Sequence, residues 1–207
     1  INRLSDYVDS RESAETFGKF DGLHKGHQKL IEKVRELSAG EELAGIVCAF
    51  DMRPLWERTG KIPQMLMTPE EKQRYLGGKA GTLVNCPFSE AFRQIEAEAF
   101  IRDIICGTFH ARYVVVGTDF QFGHHKRGDI GMLRQYAGEY GYEPIVIEKE
   151  RYGDRIISST YIKELLSQGD IRTVSALLGY HYGITGTVEH GRKLGRTLGF
   201  PTFNVEW

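Results

Sequence analysis

The chain has 207 residues, 41% of them hydrophobic and 27% charged, with a formal net charge of −1. That is enough for one full core plus a remainder, in a composition typical of globular proteins. Balanced charge argues against a dedicated nucleic-acid surface, and no apolar run approaches the roughly 20 residues of a membrane span, so neither partner is expected.

The chain opens at Ile1 without a charged-then-apolar secretory leader, and the missing Met hints at trimming. A strand-like run near 13–17 comes first. TFGKFDGLHKGH (16–27) follows, with three glycines, two histidines and an aspartate. Leu30, Ile31, Val34 and Leu37 then mark one buried face and predict a helix over 27–38. A glycine-bearing turn that empties into a helix N-terminus suits phosphate, because unpaired N–H groups and the positive end of the helix dipole point there. His24 and His27 both reach an anion lying over that turn. Zinc would need three or four ligands, and no Cys/His pair of suitable spacing accompanies them, so no protein-only metal site is expected.

A strand is predicted over Ala44–Phe50, followed by the loop Asp51-Met-Arg-Pro54. Thr68-Pro-Glu-Glu71 reads as a capped start for a helix over 69–77. Strands near 82–85, 112–116 and 143–148 alternate with helices over 96–106 and 129–140. Between the last two strands, Val116–Asp129 carries Asp119, Phe120, Phe122, Gly123 and the run His124-His-Lys-Arg127. Ile157-Ser158-Ser159-Thr160 precedes a helix over Tyr161–Ser167, with Lys163 on its first turn: hydroxyls beside free N–H groups, a second anion cradle. Plainer readings exist: a mere helix cap at 158–160, surface histidines, a solvated basic loop, and core roles for Phe120 and Phe122.

The β-α alternation predicts an α/β fold, a parallel sheet with helices on both faces that binds ligands outside the carboxyl ends of its strands. All the loops singled out fall on that edge. Neither G-x-G-x-x-G nor G-x-x-x-x-G-K-[ST] occurs, which disfavours a dehydrogenase or a P-loop kinase. Cys48, Cys86 and Cys106 are odd in number and lack any C-x-x-C; Cys48 and Cys106 read as small core residues, and the cytoplasm is the expected compartment. After about residue 180 the texture changes. Tyr182–His190 reads as a strand, and 191–204 is rich in glycine and basic residues. The predicted division is therefore 1–180 as one domain and 181–207 as the opening of a second, β-rich one, since one or two strands cannot close a sheet.

Gly-Lys-Phe-Asp-Gly-Leu-His-Lys-Gly-His (18–27) resembles the H-x-G-H loop of the nucleotidyltransferase superfamily, and Ile157-Ser-Ser-Thr-Tyr-Ile-Lys163 its second phosphate motif. With Pro87-Phe88, Val116-Gly-Thr-Asp-Phe-Gln-Phe-Gly123 and Gly199-Phe-Pro-Thr-Phe-Asn204 in the same order, the chain resembles the prokaryotic bifunctional riboflavin kinase/FAD synthetases nearly end to end.

The resemblance implies a Rossmann-like FMN adenylyltransferase domain: FMN plus ATP gives FAD plus pyrophosphate, with Mg²⁺ accompanying ATP. It implies that His24, His27, Ser159, Thr160 and Lys163 act on the phosphates. Gly18, Lys19, Phe20, Asp21, Gly22 and Ser158 would complete the ATP site, while Asp119, Phe120, Phe122 and Gly123 would lie near the flavin. A polyphosphate can hold histidine protonated, given its ordinary pKa of about 6.5. Thr202 and Asn204 would bind Mg²⁺ and ATP in a riboflavin kinase barrel of which 181–207 is only the start, so 1–207 alone is not expected to phosphorylate riboflavin. Two positions depart from the family pattern: Lys19 where Asn is usual, and Lys163 where Arg is usual, which keeps the charge but loses the bidentate fork. Two other readings stand beside this one: another small-molecule nucleotidyltransferase of the superfamily, and a non-catalytic flavin or nucleotide sensor.

Overall fold

The computed structural model describes all residues of 1–207 except 2, 41, 61–63, 79–80, 193 and 207. In chain order the first half carries β1 (Ser13–Gly18), α1 (Lys25–Gly40), β2 (Ala44–Asp51), α2 (Arg53–Thr59), α3 (Pro69–Leu76), β3 (Thr82–Pro87), α4 (Glu90–Arg93) and α5 (Ala97–Ala99). There follow β4 (Ala111–Gly117), α6 (Ile130–Tyr140), β5 (Glu143–Ile147), β6 (Arg151–Tyr152), β7 (Arg155–Ile156), α7 (Ser159–Ser167) and α8 (Ile171–Leu178). The last elements are β8 (Thr187–Glu189), α9 (Leu194–Thr197) and β9 (Asn204–Glu206).

Strands β1 to β5 form one parallel sheet in the order β3-β2-β1-β4-β5, with β1 central. Successive side chains point to opposite faces, and both faces are covered. On one, Phe17, Ile46, Cys48, Val84, Val114 and Val116 meet Phe100, Ile104, Phe109 and Leu133. On the other, Ala14 and Val115 meet Val34 of α1, while Val47 and Ala49 meet Ile31. Burial on both faces explains why these strands read as continuous apolar runs. The chain order reverses between β1 and β4, so a crevice opens where the loops after them diverge.

Helix ends follow local chemistry. Thr68 and Glu71 form a reciprocal capping box at α3, with Pro69 in its first turn. Asp129 caps α6 by accepting from Met132 N–H at 2.9 Å, which places the predicted start at 129 just outside the helix.

Several elements differ from expectation. The helix predicted over 96–106 is α-helical only at Ala97–Ala99 and continues as a π-helix over Phe100–Cys106; the widened turn sets Phe100, Ile101, Ile104 and Ile105 all into the core. Helices α2, α4, α8 and α9 and the β6–β7 hairpin are additional. The strand expected over 182–190 survives only as β8, paired with β9, because Tyr182 packs instead against the α7–α8 cluster. Lys193, within the basic stretch, lies outside the described residues. No helix among the described residues is long and apolar enough to cross a membrane.

One core residue carries a charge-bearing group. Glu15 of β1 is fully buried; Ser13 Oγ donates to its Oε2 at 3.3 Å, and its Oε1 has no partner among the described residues. Burial pushes its carboxyl well above the ordinary range. The stability of such a group is complete below the unfolded-state pKa and declines as pH rises through the folded one. Glu15→Gln is therefore expected to gain on the natural chain between pH 5 and pH 8, by a few degrees in Tm at about 2–4 °C per kcal/mol for this size. An unchanged gap at the two pH values would mean that the carboxyl is not held neutral.

Candidate active site

The loop after β1 turns on itself in a conformation most side chains avoid. Phe20 (φ 49°), Gly22 (φ 79°) and Leu23 (φ 41°) all lie in the left-handed region. Each such non-glycine residue costs of order 1–3 kcal/mol and persists only where its surroundings over-determine it. Here they do. The Phe20 and Leu23 side chains are completely buried, anchoring the loop like two pegs against Ile31, Val47 and Met67.

Four loop carbonyls accept hydrogen bonds from side chains, three of them on elements distant in sequence. Lys72 Nζ of α3 donates to Lys19 O at 2.7 Å, and Ser159 Oγ of α7 donates to Asp21 O at 2.8 Å. Tyr180 OH, beyond α8, donates to Gly22 O at 2.7 Å, and Gln28 Nε2 of α1 donates to Leu23 O at 2.7 Å. The Asp21 carboxylate accepts from Leu66 N–H at 2.7 Å and pairs with Lys163 Nζ at 2.6 Å. At Gly22 a Cβ would lie 2.7 Å from Leu66 Cδ1, so close approach as well as positive φ requires glycine there.

The loop feeds α1, whose first backbone bond runs from Gln28 N–H to His24 O. His24 behaves as the cap: its Nδ1 faces the His27 N–H at 3.4 Å, which leaves Nε2 to carry the proton of the neutral ring. The two imidazoles stack with centroids 3.7 Å apart, and Phe20 meets His27 edge-on at 5.2 Å. Burial pushes the His24 pKa down to about 4. Burial, then the neighbouring His24 and Lys72 charges, holds His27 well below its usual range. Both rings are thus neutral in the free protein at pH 7. The His27 Nδ1 is buried with no partner among the described residues.

Helix α7 supplies the facing wall. Ser158 caps it by accepting from Tyr161 N–H at 3.2 Å. Ser159 holds the Asp21 carbonyl, while Thr160 is exposed at the mouth. The β6–β7 hairpin leads directly into this helix, with Arg155 lying 3.8 Å over the Tyr161 ring. A cleft of about 450 Å³ separates the two walls, lined by His24 and His27 on one side and Ser158–Thr160 and Lys163 on the other. The remaining lining includes Leu30, Gly117, Asp119, Ile147 and Ile157, so the cleft lies at the β1/β4 crevice.

A second cleft of about 330 Å³ opens beside it, lined by Phe50, Met52, Trp56, Met65 and Met67, with Asp51, Arg53, Lys72 and Asn85 as its polar groups. Lys19, Asp21 and Lys163 line both clefts and form the seam between them. Arg53 holds Asp51 through paired bonds of 2.9 and 2.7 Å.

The other predicted residues fall as follows. Asp119 lies at the rim of the larger cleft, paired with Lys149 at 2.7 Å. Phe20 supports the loop from beneath, as a buried peg. Phe122 is a core residue (5% exposed) between Phe100, Phe120 and Gly128, and Phe120 stacks on Phe17 and Phe122. Gly123 packs on Ala97. None of these three lines either cleft, because the segment after Asp119 turns back into the core. Thr202 and Asn204 line a separate cleft of about 370 Å³ with Glu189, His190 and Arg196. Sequence reasoning passed over Lys72, Trp56, Met65 and Met67. The signal for the first two is faint: a lysine on the amphipathic α3, and a tryptophan just past the Asp51–Pro54 loop.

Among the described residues no group of three or more His, Cys, Asp or Glu side chains is placed to hold a metal ion. A hard cation bound by one or two carboxylates and substrate phosphates needs no such group, and Asp21, Asp119, Glu148 and Glu150 are carboxylate residues lining the larger cleft.

Comparison with known proteins agrees with this geometry. The family model described as FAD synthetase matches residues 7–161, and that of riboflavin kinase matches 178–207. The bifunctional riboflavin kinase/FMN adenylyltransferase of Buchnera aphidicola (Schizaphis graminum) is 34% identical over 93% of this chain and 63% of its own length. That of Escherichia coli K12 is 35% identical over 92% of this chain and 61% of its own. The chain thus spans about 60% of the length of these curated relatives. The crystal structure of the macrolide-efflux protein from Streptococcus pneumoniae superposes with a TM-score of 0.84 at 28% identity, covering 100% of this chain and 67% of that one.

The buried imidazoles set a pH dependence. Their folded pKa values lie below the unfolded value, so the stability they contribute is present above about pH 6.5 and is lost at lower pH, for His24 as pH falls through about 4. His24→Asn is expected to flatten that decline, read as Tm at pH 7 and pH 5. The same slope in both chains would show that His24 titrates as a solvated residue.

Proposed function

This chain belongs to the FAD synthetase family, and from that premise we propose that it joins the adenylyl group of ATP to FMN, releasing pyrophosphate. The observation that carries the reading is the joining of an imidazole-and-hydroxyl cleft to an aromatic, Met-rich one through a common seam.

In this reaction an oxygen of the FMN phosphate attacks the α-phosphorus of ATP, a P–O bond forms, and the bond to the β-phosphate oxygen breaks. No protein nucleophile is needed, so the protein's task is alignment and charge stabilisation. In our assignment the triphosphate lies between the α1 and α7 N-termini, where helix dipoles and free N–H groups favour an anion. His24, through its Nε2–H, and His27 donate to phosphate oxygens that gain charge. Because burial opposes imidazolium here, the arriving polyphosphate must supply the field that raises their basicity. Ser158, Ser159 and Thr160 cradle the opposite side. Lys163 orients the phosphates as a point charge once its pairing with Asp21 is shared with the nucleotide. Lys19 and the Gly18–Gly22 backbone close the seam.

Leu30, Ile147 and Ile157 offer an apolar bed for the adenine, with Asp119 at its edge. The flavin ring goes to the smaller cleft, where Phe50, Trp56 and the methionines give flat, polarisable surfaces. This reassigns the flavin from Phe120 and Phe122, whose ring faces are taken up by the core. Mg²⁺ is assigned as the partner of ATP, with Asp21 and Asp119 in reach, and when bound it would neutralise phosphate charge. Residues 1–180 form the adenylyltransferase unit in this reading. Residues 181–207 open a riboflavin kinase unit in which Thr202 and Asn204 meet Mg²⁺ and ATP. Substrates of this kind and three unpaired cysteines fit the cytoplasm.

Purified protein mixed with ATP, Mg²⁺ and FMN is expected to yield FAD and pyrophosphate in equal amounts. Flavin binding without turnover would instead indicate a sensor, and absence of flavin binding another transferase of the superfamily. His27→Ala is expected to lower the turnover number by about 10²–10³, the usual consequence of losing one preorganised donor.

A further inference from the structure

Lys72 is a cation of the site for which neither sequence motif accounts. It projects from α3 into the wall of the smaller cleft, half-buried, and one of its three N–H bonds goes to the Lys19 carbonyl at 2.7 Å. The carboxylates nearby are already engaged: Asp51 with Arg53 at 2.7 Å and Asp21 with Lys163 at 2.6 Å. Among the described residues Lys72 itself forms no ion pair. A cation removed from bulk water with no carboxylate against it is a costly arrangement, and desolvation draws its pKa down accordingly. Such a group becomes favourable when an anion arrives.

Its position identifies which anion. Lys19, to whose backbone Lys72 is bonded, lines both clefts, so the ammonium stands where the smaller cleft meets the seam. A planar aromatic ligand lying on Phe50 and Trp56, with a phosphate on its tail, would bring that phosphate to the seam. A flavin lacking the phosphate would fill the same bed and leave the ammonium unmatched.

We infer that Lys72 is the specificity-determining residue that binds the phosphate of FMN and so selects the phosphorylated flavin over riboflavin. The inference rests on the adenylylation reading and gives it an acceptor-side contact. A charge-assisted hydrogen bond lost from a partly desolvated site corresponds to about a 10- to 100-fold change in affinity.

The test is flavin fluorescence titration, with α,β-methylene-ATP and Mg²⁺ present throughout, of the natural chain and of Lys72→Gln, Lys72→Met and Lys72→Arg. The natural chain is expected to prefer FMN to riboflavin. Gln and Met should erase about 10-fold or more of that preference while riboflavin affinity stays within a factor of about two, and Arg should retain part of it. An unaltered FMN-to-riboflavin ratio in Gln and Met overturns the inference and leaves the adenylylation reading intact. So does a parallel loss of both flavins in all the variants, which would make Lys72 only a prop for the loop. Weakened nucleotide binding at unchanged flavin selectivity also overturns it, giving the cation to ATP. If the natural chain binds neither flavin, the adenylylation reading itself fails, and the inference with it.

Discussion

The Lys19–Leu23 loop is the constraint on which everything else depends. Two non-glycine residues at positive φ are intrinsically unfavourable, yet their side chains are the pegs that fasten the loop to the core. With Phe20 and Leu23 turned inward, the backbone carbonyls point outward and are gripped from α1, α3, α7 and the segment after α8. The strain is of order 1–3 kcal/mol per residue, comparable to two or three ordinary hydrogen bonds. The loop is therefore held by elements spread over most of the chain.

The electrostatics follow from the same arrangement. Packing His24 and His27 against each other and against Phe20 strips them of solvent, so the free protein keeps two neutral imidazoles beside cations. Lys163 and Arg53 are each matched by a carboxylate, while among the described residues Lys72 is not. In the function proposed, charge brought by a polyanionic ligand offsets desolvation already incurred in folding. Tyr180 and Thr185 extend the network past α8, since Tyr180 holds Gly22 O and Thr185 N–H donates to Glu71 of the α3 capping box at 3.0 Å. The start of the C-terminal segment is thereby tied to the same loop.

Much of the architecture was legible because its causes are local. The apolar runs of β1, β2 and β4 announce strands buried on both faces, and Thr68-Pro69-Glu70-Glu71 announces a helix start through side chains that act within one turn. Helix α8 was equally legible and overlooked: Ile171, Val174, Leu177 and Leu178 recur at helical spacing between the Asp170 cap and Gly179. The π-helical turn at Phe100–Cys106 was not legible, because its register is chosen by the core it fills. The packing of Phe120 and Phe122 was hidden for a related reason. Aromatic residues beside a glycine look alike whether they face a ligand or a core, and only the return of the chain at Phe122–Gly128 turns them inward.

By itself the sequence determined the secondary-structure alternation, the parallel sheet, and the two helix starts that carry His24, His27 and Ser158–Thr160. These follow from short-range rules: side-chain periodicity, capping and backbone freedom at glycine. Only the tertiary structure decided that the two starts face one cleft, that a second aromatic cleft shares its wall, and that Lys72 stands at the seam. Those are distances between segments far apart in sequence, set by strand order and by which side chains the core accepts, and no local rule encodes them.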